Sequence, residues 1–235
     1  MTTRTKLLAI EGIDGSGKRT QLDLLSRALR RRGIRHVCVS FPRYSSFFGR
    51  MVGQFLDGDF GPLEKVDAHF SALLYAADRL EAKPELERAL AAGKLILADR
   101  YIGSNLAHQT ARVPPARRGE FLRWLRQLEY GVFGLPRESL VIYLRVPART
   151  AQRLVGRKAA RAYTRRERDI LEASLAHLRQ AAGVYEKLAK ARNWAVVECI
   201  EPSTGELLSP DAIHRAVMAT IARRAGYLLQ GNKKR

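Results

Sequence analysis

The stretch Glu11-Gly12-Ile13-Asp14-Gly15-Ser16-Gly17-Lys18-Arg19-Thr20 sets glycines, a carboxylate and a lysine in the order G-x-x-x-x-G-K. Residues of these types at this spacing bind phosphate. Gly15 and Gly17 free the backbone to turn its N–H groups toward an anion, a following helix adds partial positive charge at its N-terminus, and Lys18 brings a mobile point charge to the β- and γ-phosphates. The apolar run from Lys6 to Glu11 supplies the strand that such a loop must follow. Leu22, Leu25 and Leu29 mark the helix that it must open, so a phosphate loop is read here in preference to a glycine-rich turn beside a surface lysine. One position departs from the pattern. After the lysine a Ser or Thr ordinarily ligates magnesium; here Arg19 stands there, and Thr20 offers a hydroxyl one residue late.

Three further groups could join this chemistry. Asp99-Arg100-Tyr101 follows a short apolar run, where a carboxylate can hold magnesium or its water shell and a guanidinium can pair with phosphate. Alone, such a pair reads as a surface ion pair; beside a phosphate loop it reads as functional. Tyr75 and Arg79, four residues apart, fall off the apolar stripe of their predicted helix. That placement suits stacking on a nucleobase and bonding to its edge, but periodicity by itself favours a tyrosine packed in a second layer with the arginine reaching water. Between Arg153 and Arg168, seven Lys and Arg face a single acid, Glu167. A lid that neutralises phosphoryl charge, a solvated loop and an RNA-binding stripe fit this composition equally, while Asp169 and Glu172 after it suit a helix cap and its partner.

The elements that must position these groups are strands at Lys6–Glu11, His36–Phe41, Leu95–Ala98, Leu140–Leu144 and Ala195–Ile200. Helices are expected from Lys18 to Arg32, from about Val66 to Leu90 with Phe70, Leu73, Leu74, Ala77 and Leu80 facing the core, and from Leu171 to Leu188. A closing helix carries Ile213, Val217 and Ile221. Short apolar strands alternating with helices predict an α/β fold with a parallel sheet covered on both faces and ligands beyond the carboxyl ends of the strands. The chain of 235 residues, 46% hydrophobic, excludes a disordered tail and suits one domain spanning 1–235. A net charge of +19 suits polyanionic partners. Cys38 and Cys199 are too few for a disulfide framework or a zinc site, and no early apolar run is long enough for a signal peptide or a membrane span. The expectation is a soluble, cytoplasmic protein.

In the order of its motifs the chain resembles the thymidylate (dTMP) kinases among the P-loop nucleoside monophosphate kinases, from Lys6 to about Leu188. The family's E-G-x-D-G-x-G-K-[ST]-T-Q appears as Glu11 to Gln21, with Arg19 off pattern. Phe41-Pro42-Arg43-Tyr44, Ala76 to Arg79, Asp99 to Tyr101, Ser104 to Gln109, and a basic lid (about 153–168) leading into Asp169 and Glu172 follow in order. The resemblance implies a three-layer P-loop NTPase fold, with a central five-stranded parallel sheet flanked by helices and a basic lid. It implies transfer of phosphate from ATP with Mg2+ to dTMP, and a homodimer through the long helices.

Residue by residue, it implies ATP held by Gly12 through Thr20, and magnesium met by Asp14, Asp99 and Thr20, partly through water. Tyr75 would stack on thymine, Arg79 and Asn105 would contact the base, Phe41 and Tyr44 would line the pocket, and Arg43 and Arg100 would grip phosphate. His108, Gln109, Asp169 and Glu172 complete the nucleotide-contacting set. Gly15 stands where one subgroup carries arginine, which points to arginines supplied by the lid, with Arg153, Arg157 and Arg161 as candidates. His108 replaces a usual tyrosine that disfavours ribose, and Leu171 replaces a tyrosine of some relatives, so sugar selectivity and pocket fit are open. The catalytic set is then Lys18, Asp14, Arg100, Asp99 and the lid arginines. Two alternatives remain: another nucleoside monophosphate as acceptor, or a nucleic-acid-binding relative with weak or lost kinase activity. Arg30-Arg31-Arg32, Arg117-Arg118 and Lys233-Lys234-Arg235 speak for the latter.

Overall fold

A computed structural model describes residues 5–155 and 175–230. Its elements are β1 (Leu7–Glu11), α1 (Lys18–Arg31), β2 (His36–Ser40), α2 (Phe47–Asp57), α3 (Ala68–Ala91), β3 (Leu95–Asp99), α4 (Ile102–Ala111), α5 (Arg118–Arg126), β4 (Leu140–Arg145), α6 (Ala148–Val155), α7 (Leu175–Leu188), β5 (Trp194–Glu198) and α8 (Pro210–Ala225). The five strands pair in parallel in the order β2-β3-β1-β4-β5. β1 and β3 are buried along their whole length, because helices cover both faces of a parallel sheet, and their near-continuous apolar sequences follow from that. The chain leaves β1 for β2 on one side and crosses from β3 to β4 on the other. The crevice beyond the carboxyl ends of β1 and β3 is therefore where a ligand fits.

The strands lie where the apolar runs placed them, with β5 starting one residue earlier and ending two earlier than expected. Ile213, Val217 and Ile221 of α8 are buried, as the closing helix required. α2, α4, α5 and α6 are additional to the expected helices: α4 lines the crevice, and α6 carries Arg153, which the sequence placed at the start of a lid.

The face of α3 needs correction. Leu74 and Ala77 are buried, but Phe70, Leu73 and Leu80, assigned to the core, are 42%, 43% and 37% exposed. The buried face instead runs through Ser71, Ala72, Ala76, Asp78, Arg79, Ala82 and Leu86. Polar side chains lie inward here because the protein interior supplies them with partners, and an apolar stripe is left outward.

Candidate active site

Between β1 and α1 the loop turns at Gly12, Gly15 and Gly17, all with positive φ. A side chain at Gly15 has no room: a Cβ there would lie 2.1 Å from the carbonyl oxygen of Ala151 on α6. Lys18 is buried, and its Nζ donates to the carbonyls of Gly12 and Ile13 at 2.9 Å each. Burial, with Arg100 adding to it, lowers the Lys18 pKa to about 7 against the pull of Asp14, Asp99 and Glu11. Arg100 adopts a positive φ of 65°, a conformation uncommon outside glycine that clusters at functional sites. Its guanidinium pairs with Asp14 and donates to Ser104 Oγ at 3.0 Å. Burial opposes the charge on Arg100, but Asp14 outweighs it and holds the pKa well above the ordinary arginine value.

Gly15, Gly17, Lys18, Arg19, Asp99 and Arg100 line one groove, which shares Asp14, Phe41 and Tyr44 with a second cleft. That cleft gathers Asp14, Phe41, Tyr44, Tyr75, Arg79, Arg100, Asn105, His108 and Gln109, so the nucleotide-contacting residues that the sequence suggested share one cavity, apart from Arg43 and the two acids beyond 155. Arg79 does not reach water. It is 1% exposed and held by Glu129, whose two oxygens accept from Nε at 2.7 Å and Nη2 at 2.6 Å. Burial works against that guanidinium, yet Glu129 raises its pKa above the ordinary value. His108 is buried with its Nδ1 3.3 Å from Nε2 of His177; burial keeps the His108 pKa well below the ordinary range and takes His177 down to about 4.

Other candidates lie elsewhere. Arg43 lines neither cavity: three acids on α3 surround its guanidinium, with Asp78 at 3.6 Å, Glu81 at 3.9 Å and Glu85 at 3.2 Å. These acids, and neither cavity, are what its guanidinium meets. Thr20 is exposed and outside both cavities, while Arg19 lines the groove and pairs with Asp23 at 3.1 Å. Arg153 on α6 is exposed and borders neither cavity. Arg157, Arg161, Asp169, Glu172 and Leu171 lie outside the described residues, as do Arg165 to Arg168 and the tail Lys233 to Arg235.

Magnesium prefers carboxylate, phosphate and water oxygens. Asp99 lines the groove beside Lys18, and Asp14 lies at the junction of the two cavities, so oxygen donors are present although no hydroxyl follows the lysine. No cluster of three or more metal-binding side chains occurs among the described residues, so the donors on hand are these two carboxylates. The residues fit the ion on those terms.

Sequence reading gave no role to two buried carboxylates. Glu11 accepts from the N–H groups of Tyr101 and Ser104 at 2.8 and 3.0 Å, from Ser104 Oγ at 2.6 Å and from the Tyr185 hydroxyl at 3.0 Å. It thereby caps α4 and ties the loop strand to the Asp99-Arg100 turn. Glu129 lies in a π-helical turn, Gln127–Val132, where no local pattern marks it.

Residues 10–209 match the family model described as thymidylate kinase. The thymidylate kinase of Mycobacterium tuberculosis is 35% identical over 191 residues, covering 80% of this chain and 87% of that protein. A probable thymidylate kinase of Pyrobaculum calidifontis is 30% identical over 219 residues, covering 92% and 99%. In fold, the chain is similar to the solved thymidylate kinase of Candida albicans, with a TM-score of 0.75 at 20% identity over 98% of this chain and 96% of that one.

Proposed function

The chain belongs to the thymidylate kinase family and phosphorylates dTMP to dTDP, and we propose that it does so by in-line transfer across the junction of the two cavities just described. A 5′-phosphate oxygen of dTMP attacks the γ-phosphorus of ATP; a P–O bond forms there as the bond to the β–γ bridging oxygen breaks, and ADP leaves. Positioning and charge neutralisation supply the acceleration, since phosphoryl transfer needs no covalent intermediate.

Lys18 leaves the Gly12 and Ile13 carbonyls for the β- and γ-phosphates, and anionic oxygens there raise its pKa back toward full charge. Arg100 neutralises phosphate at the junction, and Asp14, its partner, orients it. The backbone N–H groups of residues 12–20 hold ATP, and Tyr75, Phe41 and Tyr44 enclose thymine with Arg79, Asn105 and Gln109 at its edge. Arg153, Arg157 and Arg161 are the proposed lid arginines, with Asp169 and Glu172 completing the nucleotide site. Asp99 and Asp14, with Thr20 as a more distant hydroxyl, would hold magnesium partly through water, and the ion would offset the charge of the ATP phosphates.

One domain, residues 1–235, carries all of this, supported by a buried cluster that runs from β1 through α8. A second copy covering the exposed stripe of Phe70, Leu73 and Leu80 on α3 would make the homodimer. Two free cysteines and ATP as donor support the cytoplasm as its place of work, and no described helix is long and apolar enough to cross a membrane.

The observation that carries this reading is a phosphate-loop groove that shares Asp14, Phe41 and Tyr44 with a cleft holding the base-contacting candidates. Chromatography of a reaction containing MgATP and dTMP tests it. dTDP should accumulate with wild type and fall below detection with Lys18→Ala; equal accumulation with both would overturn the assigned roles.

A further inference from the structure

Asn105, His108 and Gln109 of α4 line the cleft, and each carries a buried polar atom with no hydrogen-bond partner: Asn105 Oδ1, His108 Nε2 and Gln109 Nε2. Orphaned buried atoms are uncommon, and a row of them along a cavity wall marks groups waiting for a ligand. What Asn105 and Gln109 offer depends on which way each amide is turned.

The Asn105 amide has one permitted orientation. Its Nδ2 donates to the Ala72 carbonyl at 3.0 Å and to Glu129 Oε1 at 2.8 Å. Turning it over would set Oδ1 against two acceptors and forfeit both bonds. Gln109 is fixed in the opposite sense: its Oε1 accepts from Ser71 Oγ at 2.8 Å and from Arg112 Nη1 at 2.9 Å, which leaves Nε2 as the free end. On Arg79, Glu129 occupies Nε and Nη2 and leaves Nη1 unclaimed by that carboxylate. The wall therefore combines one fixed acceptor, Asn105 Oδ1, with two donors, Gln109 Nε2 and Arg79 Nη1.

We infer that Glu129 is a positioning residue for base selectivity. By accepting from Asn105 and Arg79 together, it commits Asn105 to present an acceptor and Arg79 to present a donor. A base edge with a ring N–H flanked by carbonyls, as in thymine or uracil, meets that polarity. Cytosine does not, since its ring nitrogen accepts and its exocyclic amine donates. Glu129 itself is fully buried, sits 50 residues from Arg79 in the chain, and does not line the cleft. The inference rests on the dTMP reading of this cleft.

Equilibrium binding of dTMP and dCMP, measured by calorimetry on the full chain, tests it in wild type, Glu129→Gln, Glu129→Asp, Asn105→Ala and the double variant Glu129→Gln/Asn105→Ala. Thermal unfolding of each reports whether it folds. Gln supplies one acceptor where Arg79 and Asn105 require a full carboxylate, and Asp withdraws the carboxylate by one methylene. Wild type should favour dTMP by at least about 100-fold, because a site built to bond one polar edge strongly rejects its inverse. Either Glu129 variant should cut that preference below about tenfold, and Glu129→Gln should cut it no further once Asn105 is Ala, since the two residues act as a unit. A wild-type preference retained by whichever Glu129 variant folds, or a wild type that binds dCMP within about threefold of dTMP, would overturn the inference. A dTMP preference without dTDP formation would instead sink the phosphotransfer mechanism and leave the role of Glu129 standing.

Discussion

The two ends of the cavity are built on opposite principles. At the base end, Arg79, Glu129 and Asn105 are nearly or fully buried and already bonded in the geometry that a base would meet. At the phosphate end, Lys18 rests on loop carbonyls and Arg100 on Asp14, so the charges meant for phosphate are held by protein groups that must release them. Burial lowers Lys18 toward neutral pH there, while Glu129 holds Arg79 above its ordinary value. In the proposed roles, the base end selects through polar groups already bonded to one another, and the phosphate end holds its cations on protein groups that an incoming polyanion displaces.

That contrast can be broken first at Lys18. Lys18→Ala should lower kcat for dTMP phosphorylation by about 1,000-fold or more, while costing under about 1.5 kcal/mol of stability because the ammonium is poorly solvated where it lies. Steady-state kinetics beside urea unfolding would show both. Glu129→Ala should do the reverse at the level of folding, costing about 3–5 kcal/mol because it leaves the Arg79 charge buried and unpaired. A urea midpoint close to wild type would show that the base end does not depend on that pairing.

The imidazole pair His108 and His177, the first lining the cleft, sharpens the comparison through pH. Burial lowers His177 to about 4, so between about pH 6.5 and 4 the unfolded chain binds a proton that the folded chain refuses. Stability should therefore be intact above pH 6.5 and fall as pH drops through that window, by about 2–3 kcal/mol from this residue. His177→Gln should flatten that part of a stability-versus-pH curve, and a variant curve parallel to wild type would remove His177 as the cause. The smallest effect is expected at Arg19, which is exposed and paired with Asp23 on its own helix. Arg19→Thr should change stability by less than about 0.5 kcal/mol and, by restoring a hydroxyl after Lys18, lower the magnesium concentration needed for half-maximal rate. Magnesium titration of both proteins measures this; an unchanged requirement would mean that the hydroxyl is dispensable here.

What was legible in the sequence was local. The phosphate loop, the strands and the Asp99-Arg100 turn are written in neighbouring residues, and the structure places them at the carboxyl ends of adjacent strands. Tyr75 and Arg79 were suggestive without being decisive, because helical periodicity says that they leave the apolar stripe but not what they turn toward. The same periodicity misplaced Phe70, Leu73 and Leu80, since an apolar stripe marks a face to be covered and not which body covers it. Arg43 and Glu129 were illegible for a shared reason. The acids around Arg43 lie 35 to 42 residues away and Glu129 lies 50 from Arg79, so tertiary packing alone brings these charges together.

The most direct test of the account is the rate of ADP release from MgATP with dTMP, dUMP, UMP, dCMP and AMP offered as separate acceptors. The account predicts turnover concentrated on dTMP, little on dCMP or AMP, and loss of that turnover in Lys18→Ala. Equal turnover across pyrimidine and purine acceptors, or none with dTMP at any magnesium concentration, would contradict it.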